Sequence, residues 1–596
     1  MFRGKILAVA MAVGLFWVVA TFGQSLEDDW NDFLHYIKIG RFDLAKGYGQ
    51  VILESNPDPV ELLALSRENP EGYTILLRVN EFATDEQLVE LSRKILAVID
   101  QGQFARRSAP KIIVEEIQRL SSTPRGRLIA LKRLKDAGEY AIPYMLDAMA
   151  DRSREAELPN IIWALPQIGR PAIRPLVAGL QAEEPAIKAE IIKALGKIGY
   201  PQSLAHLKYI VEKDSSPALQ KLAVGSIARI DPDAARTSAA ELFFGLAEQY
   251  YYHAESLVPA EDADFANVWF WDPANARLTR AEVDTGYFNE LMAMRCCEWA
   301  LKADAGLGKA IGLWLAAFFK AEATGAEMPA YFGDKHADAL VYATTAGPEY
   351  LHQALARAIK DKNADVALGA VEALGTTAGE KSLLYTLGPT QPLLEALSFE
   401  DRAVRYSAAI AVAAAGPQEG FAERKLVVAN LADALGQDAE LVSPTERWNN
   451  ELANSYAFRA AEAMLKSAQA RNRVIDLSGA QSALINATQD KRREIQVLAG
   501  QILAHLGSPA AQRAIAAMAL NADNDLEVRI LAFESLATSA KINANMLTEP
   551  TVDAIYALIS SDETDPNLRS AAAAAYGALN LPSRKAKDLI LDQAKS

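Results

Sequence analysis

The sequence predicts an all-α fold, and three observations carry that expectation. Strand-like alternation is rare along the 596 residues, and β-branched runs are short. Ala- and Leu-rich stretches with helical spacing dominate instead. These stretches end again and again at a glycine, at intervals that recur along the chain. Self-similarity of this kind marks stacked helix pairs, in which no pair buries its apolar face alone and each packs on its neighbours.

The N-terminus reads first. Arg3 and Lys5 form a short basic region, 6–22 carries no charge, and small residues follow at Ala20, Thr21 and Gly23 before Glu27, Asp28 and Asp29. That order is the order of a secretory signal peptide, with cleavage after Ala20 or Gly23. An uncleaved anchor is the rival reading, although such a stretch spans only about 26 Å against a hydrocarbon core of roughly 30 Å. Either reading places the body outside the cytoplasm, in a periplasmic or extracellular setting. No cysteine lies near the cleavage region to carry a lipid.

The repeats follow. Between Ile187 and Gly199, apolar residues fall at Ile187, Ile191, Ala194, Leu195 and Ile198, one face of a helix. Gly199 then supplies a C-terminal stop and Pro201 a breaker. The stretch from Trp163 to Gly169 has the same form, and the 226–230 stretch fills the next slot. Later copies end near Gly375, Gly416, Gly507 and Leu579. Leu195, Ile198, Leu374 and Leu397 are expected in the core.

Several first helices carry an internal proline, as in Ile142-Pro143-Tyr144, Arg174-Pro175-Leu176 and Gln391-Pro392-Leu393. Second helices open with Asp401-Arg-Ala-Val-Arg405 or Asp525-Leu-Glu-Val-Arg529. These units resemble the HEAT-repeat family of armadillo-type α-solenoids, with the match running roughly over 122–240 and 350–590. The resemblance implies a right-handed α-α superhelix. It also implies that Asp401, Arg405, Asp525 and Arg529 are structural, forming a ladder between successive repeats. The openings at Pro185-Ala-Ile-Lys188 and Asp365-Val-Ala-Leu368 lack the arginine. Two further stretches, 30–59 and 288–320, resemble tetratricopeptide-type helix pairs. The expected organisation is a signal segment 1–23, an N-terminal helical region 24–121, HEAT-like repeats 122–240, a helical insert with an aromatic and acidic loop 241–345, and HEAT-like repeats 346–440 and 441–596.

Chemistry leaves little trace. Cys296 and Cys297 are adjacent, and on a helix their side chains point about 100° apart, so they read as buried free thiols. There is no His-Glu-x-x-His, Gly-x-Ser-x-Gly, Gly-Lys-Ser/Thr or Cys-x-x-Cys pattern, and the six histidines are scattered. Asp334, His336 and Asp338 offer oxygens and an imidazole, but their alternation splays them on a helix, and they read as a solvated loop. No cofactor is expected.

The most unusual stretch is 250–271, read as a long loop holding Tyr250, Tyr251, Tyr252, His253, Phe265, Trp269, Phe270 and Trp271 among acidic residues. It reads either as cover over packed helices or as a recognition insert, since aromatic anchors give large contact area with few rotors to freeze. Tyr250, Tyr252, Trp269 and Trp271 are its candidate partner-binding residues. His253 with Glu255 is a conceivable acid–base pair without a nucleophile. Charge is also uneven. Between 104 and 135, nine basic residues face only Glu115 and Glu116. Between 255 and 298, nine acidic residues face three arginines. Arg125, Arg127, Lys132 and Arg133 are the candidates of the basic window, for an acidic protein surface or an anionic envelope polymer.

Half the residues are hydrophobic and 23% are charged, which excludes a largely disordered chain. The net charge of −15 disfavours nucleic acid as a partner. The expectation that results is an exported noncatalytic scaffold that binds protein partners. A glycan-binding module built on Trp269 and Trp271 is one alternative. An enzyme or cofactor handler, as some HEAT-like chromophore lyases are, is the other.

Overall fold

The computed structural model describes residues 25–259, 264–333, 336–437 and 448–582, together with 587, 590 and 591. The expected signal segment 1–23 lies outside these residues. Helices dominate throughout. Their starts follow from local chemistry. Ser25 and Asp28 form a reciprocal capping box at Leu26–Lys38. Asp58, Asp85, Thr123, Asp401 and Asp565 each accept first-turn backbone N–H groups. Proline opens Pro124–Ala137, Pro185–Ile198, Pro217–Ile230 and Pro566–Ala578, where its missing N–H costs nothing. Gly199 ends its helix in the left-handed conformation, at φ +79°, as the spacing predicts. Gly375 does not end one. It lies inside Ala364–Thr377, where a Cβ would stand 3.3 Å from the Ala411 Cβ, so its role is close approach between helices.

The chain divides into two compact units, Met1–Tyr200 with Trp269–Thr279, and Pro201–Val268 with Arg280–Ser596. In the first, Trp30, Phe33 and Leu34 pack with Ile52, Leu62, Ile95 and Ile99 from the next helices along the chain. In the second, Ala239–Tyr251 packs on Thr285–Ala303, that helix on Lys309–Glu322, and so on in chain order through Pro348–Asp361, Ala364–Thr377 and Arg402–Ala415 to Pro566–Ala578. Packing on near neighbours is the solenoid order the repeats predict. Leu195, Leu374 and Leu397 are fully buried, but Ile198, in the last turn of its helix, is only half-buried.

Two findings correct the sequence reading. The insert is not wholly helical. β1 (Phe265–Asp272) and β2 (Arg277–Asp284) pair as a two-stranded hairpin. Asp272 shapes its turn by accepting the N–H groups of Ala274 and Asn275. The 250–271 stretch is therefore no long loop, since Tyr250 and Tyr251 finish the helix Ala239–Tyr251 and β1 begins at Phe265.

A second device recurs at the turns between helices. The residue four positions after an N-cap reaches back to a carbonyl of the turn it has just left. Arg405 donates to the Phe399 and Glu400 carbonyls at 2.8 and 2.9 Å. Arg529 donates to the Ala519 carbonyl at 3.1 Å. Arg569 donates to the Ser561 carbonyl at 2.6 Å, Arg127 to Leu120 at 3.0 Å and Gln220 to Asp214 at 2.7 Å. These bonds satisfy carbonyls that a helix end leaves without partners. The Asp565–Arg569 pair repeats the spacing of Asp401–Arg405 and Asp525–Arg529.

Truncating Leu374, which is 0% exposed, to alanine lowers unfolding stability by about 2–5 kcal/mol. Arg529→Ala lowers it by about 1 kcal/mol, the ordinary worth of one such hydrogen bond. Urea unfolding followed by circular dichroism checks both. An unchanged midpoint for Leu374→Ala would remove that residue from the core.

Candidate functional site

The aromatic candidates separate by exposure. Tyr250 is 1% exposed, accepts a hydrogen bond from Gln202 Nε2 at 2.8 Å and meets the Phe288 ring edge-on. Trp269 is 5% exposed, and its indole N–H donates to Glu139 Oε2 at 2.8 Å. Trp271 is half-buried. Tyr250 and Trp269 are thus interior residues rather than the contact surface expected of them. Tyr252 alone is exposed, and its hydroxyl is already engaged. It donates to Asp361 at 3.1 Å and accepts from Arg357 Nη1 at 2.8 Å.

His253 does not pair with Glu255. Its Nε2 lies 2.5 Å from Oε1 of Glu290 and 3.0 Å from Nζ of Lys320. Lys320 also reaches Glu290 Oε1 at 2.9 Å and donates to the Tyr251 carbonyl at 3.0 Å. Glu290 is 2% exposed. Burial alone would raise its pKa, but the hydrogen bond from His253 and the Lys320 ammonium outweigh it and hold the carboxyl below its ordinary range. His253 sits at a φ of +51°, the left-handed position that closes the helix, where its N–H bonds the Tyr250 carbonyl and the Ala254 N–H the Gln249 carbonyl. The arrangement is a charge-balanced clamp that ties the end of Ala239–Tyr251 to two neighbouring helices.

The remaining titratable candidates are structural. Cys296 and Cys297 are free and buried, and burial pushes the Cys296 thiol up to about 12. Of the 334–338 group, Asp334 lies outside the described residues, Asp338 caps Ala339–Ala346 and His336 bonds the Gly333 carbonyl. Among the described residues no group of three or more His, Cys, Asp or Glu is placed to hold a metal. Arg405 and Arg529 make the turn contacts described above, and Asp401 caps its helix, whereas Asp525 makes no side-chain capping bond.

The basic window resolves into one feature with shape. Four helices, Pro59–Glu68, Glu86–Ser108, Pro110–Arg119 and Pro124–Ala137, surround a cleft of about 460 Å³. Arg67, Arg106, Arg107, Lys132 and Arg133 line it, against the carboxylates of Glu116 and Asp136. Ile113 and Leu134 form a buried floor, and Ile112 and Ile129 stand exposed at its wall. Glu116 is 4% exposed and accepts from Arg133 and, at 2.8 Å, from Arg119. It fixes the Arg133 guanidinium at the cleft. Arg125 is exposed and does not line the cleft. Arg127 is the turn clamp on Leu120, with its guanidinium 5.9 Å from the Trp163 ring centroid. Two members of the sequence-derived basic set, Lys132 and Arg133, thus meet at one site. Arg106 joins them from Glu86–Ser108, two helices earlier, and Arg67 comes from a helix with no charge signal.

Residues 142–228 match a family model described as HEAT repeats. No curated protein sequence matches the chain. Among solved structures, yeast importin-beta (Kap95p) is 14% identical over 86% of this chain and 67% of its own, at a TM-score of 0.26. Kap121p bound to Nup53p is 13% identical over 88% of this chain and 56% of its own, at a TM-score of 0.29. A chain from a homology model of the full-length AP-3 complex is 10% identical over 81% of this chain and 94% of its own, at a TM-score of 0.27. The chain spans about half the length of the Kap121p neighbour.

Acid weakens this fold in a defined window. His206 has its ring against the edges of Phe243 and Trp299, and burial, with Arg295 nearby, pushes its pKa from 6.5 to about 3. Its folded value lies below its unfolded one, so its contribution is complete above pH 6.5 and is lost as pH falls toward 3. Glu290 adds a second loss as pH falls below 4.5, its ordinary value. The urea midpoint falls from pH 7 to pH 5, and His206→Gln flattens that slope. A midpoint independent of pH over this range would contradict the assignment.

Proposed function

Because residues 142–228 match HEAT repeats, we propose that the chain is an exported, noncatalytic adaptor that holds protein partners on the surfaces of its helix pairs. The observation that supports this most is the cleft of the first unit, where cations rim an apolar floor with Ile112 and Ile129 left exposed. Exposed aliphatic side chains among cations suit a partner with its own apolar and anionic groups. Arg106 and Lys132 have no ion-pair partner among the described residues, so both are available to one. The order of charges and apolar residues before Glu27 supports export.

Other readings have less support. A glycan platform needs an open aromatic face, and the Trp269 indole is buried with its N–H occupied. A hydrolytic site needs a nucleophile beside its base. His253 bonds to Glu290 and Lys320 instead, with no hydroxyl or thiol among its described partners.

Two measurements test the proposal. Affinity capture from the native envelope fraction, with the tagged chain beside an Arg106→Glu, Lys132→Glu variant, returns specific proteins with the first that are missing with the second. Identical captures would take the cleft out of partner binding. The intact mass of the chain from its native source lacks residues 1–20 or 1–23, and a full-length mass in a cytoplasmic fraction would overturn export.

A further inference from the structure

We infer that the cleft of the first unit is a receptor for a short acidic peptide segment bearing aliphatic side chains. This rests on the adaptor reading and names the chemistry of its partner.

The lining carries the argument. Five cations face two carboxylates across about 460 Å³, a volume in the range of sites that enclose a few ligand groups. The surplus of positive charge sits in a chain whose net charge is −15, so the cleft runs against the field of the whole. At physiological salt the Debye length is about 8 Å, so a ligand in the cleft responds to the nearby cations and little to the distant acidic surface. The local excess therefore selects anionic groups.

The apolar part narrows the class. Ile112 is 37% exposed and Ile129 43%, beside the buried Ile113 and Leu134. An aliphatic side chain laid against them removes both surfaces from water, at about 25 cal/mol per Å² buried. A uronic or phosphate polymer carries charge at every unit and nothing to fill this floor. The exposed Asp136 would also repel a continuous polyanion, while a peptide can place its isolated carboxylates around it. A single-stranded nucleic acid would want aromatic side chains to stack on, and the lining has none.

The cations are unevenly prepared. Arg133 is held by Glu116 and keeps further N–H donors, which lowers the entropy lost when a carboxylate docks. Arg106 and Lys132 are exposed and have no carboxylate partner among the described residues. They are the side chains whose reversal alters binding without removing a fold contact.

The test uses the full chain and four probes read by fluorescence anisotropy. The first is a labelled ten-residue peptide of alternating Glu and Leu. The second replaces each Glu by Gln, the third is polyglutamate and the fourth is hyaluronan. The Glu-Leu peptide binds more than about tenfold tighter than the Gln-Leu peptide, a difference of roughly 1.4 kcal/mol, and weakens with salt. Arg106→Glu with Lys132→Glu weakens it by about tenfold or more, and Ile129→Asn by about three- to tenfold, with circular dichroism unchanged. Equal binding of the Glu and Gln peptides overturns the inference, as does the absence of binding at millimolar peptide. Polyglutamate or hyaluronan binding as tightly as the Glu-Leu peptide overturns it in favour of a polyanion site. Should the peptide fail while envelope proteins are still captured, the adaptor reading stands and this inference falls.

Discussion

The fold depends on how its turns are closed. A stacked array of helix pairs has no long-range core to correct an error, so each apolar face meets its neighbour only if the turn before it is held. The side chain four residues past the N-cap does this. It points back along its helix, as side chains on helices do, and so arrives at the carbonyls the previous helix leaves unpaired. A guanidinium suits the task because its several donors can serve two carbonyls, as Arg405 does with Phe399 and Glu400. Gln220 shows that one amide donor suffices where the turn offers one carbonyl. The bond thus needs a donor at that position more than a charge, and Ala364–Thr377, where the position is Ala367, packs on its neighbours without it.

That distinction decides what the sequence could reveal. Helical period, proline at first turns and glycine after last turns are local properties, and they place the helices well. Leu195 and Leu374 are buried because the period demands it, and Ile198 escapes because the helix runs out beneath it. The hairpin was hidden for the opposite reason. In β1 the run from Ala266 to Trp269 is buried without alternation, so it shows no period of two. β2 does alternate at its ends, with Leu278 and Val283 buried, but its polar residues resemble a solvated loop. Nothing in the chain signalled that strands flank the turn at Asp272.

The basic window shows the same limit for function. Its surplus of charge was legible, but which cations shared a surface was not. Arg127 is drawn off to a carbonyl and a tryptophan, and Arg125 points elsewhere. Arg67 enters from a helix four decades of residues upstream, where a single arginine is no signal at all. Aromatic density misled in a related way. Tyr250 and Trp269 are large because the interior they fill is large, and their polar atoms found partners inside.

Two buried carboxylates then separate structure from recognition. Glu290 and Glu116 are each almost wholly buried, and each is neutralised through one oxygen by two cationic or imidazole groups. At Glu290 the ammonium of Lys320 is itself tied to a backbone carbonyl and lies over the Tyr251 ring, so its donors are committed. At Glu116 the side chains of Arg119 and Arg133 are 44% and 47% exposed, with guanidinium donors still facing water. Removing a partner from the first site leaves a buried charge uncompensated, a structural loss. The second site can add a carboxylate from outside without giving up the one beneath, because each guanidinium has donors for both. The same chemistry is therefore closed in one unit and open in the other, and openness is what a site for an acidic partner requires.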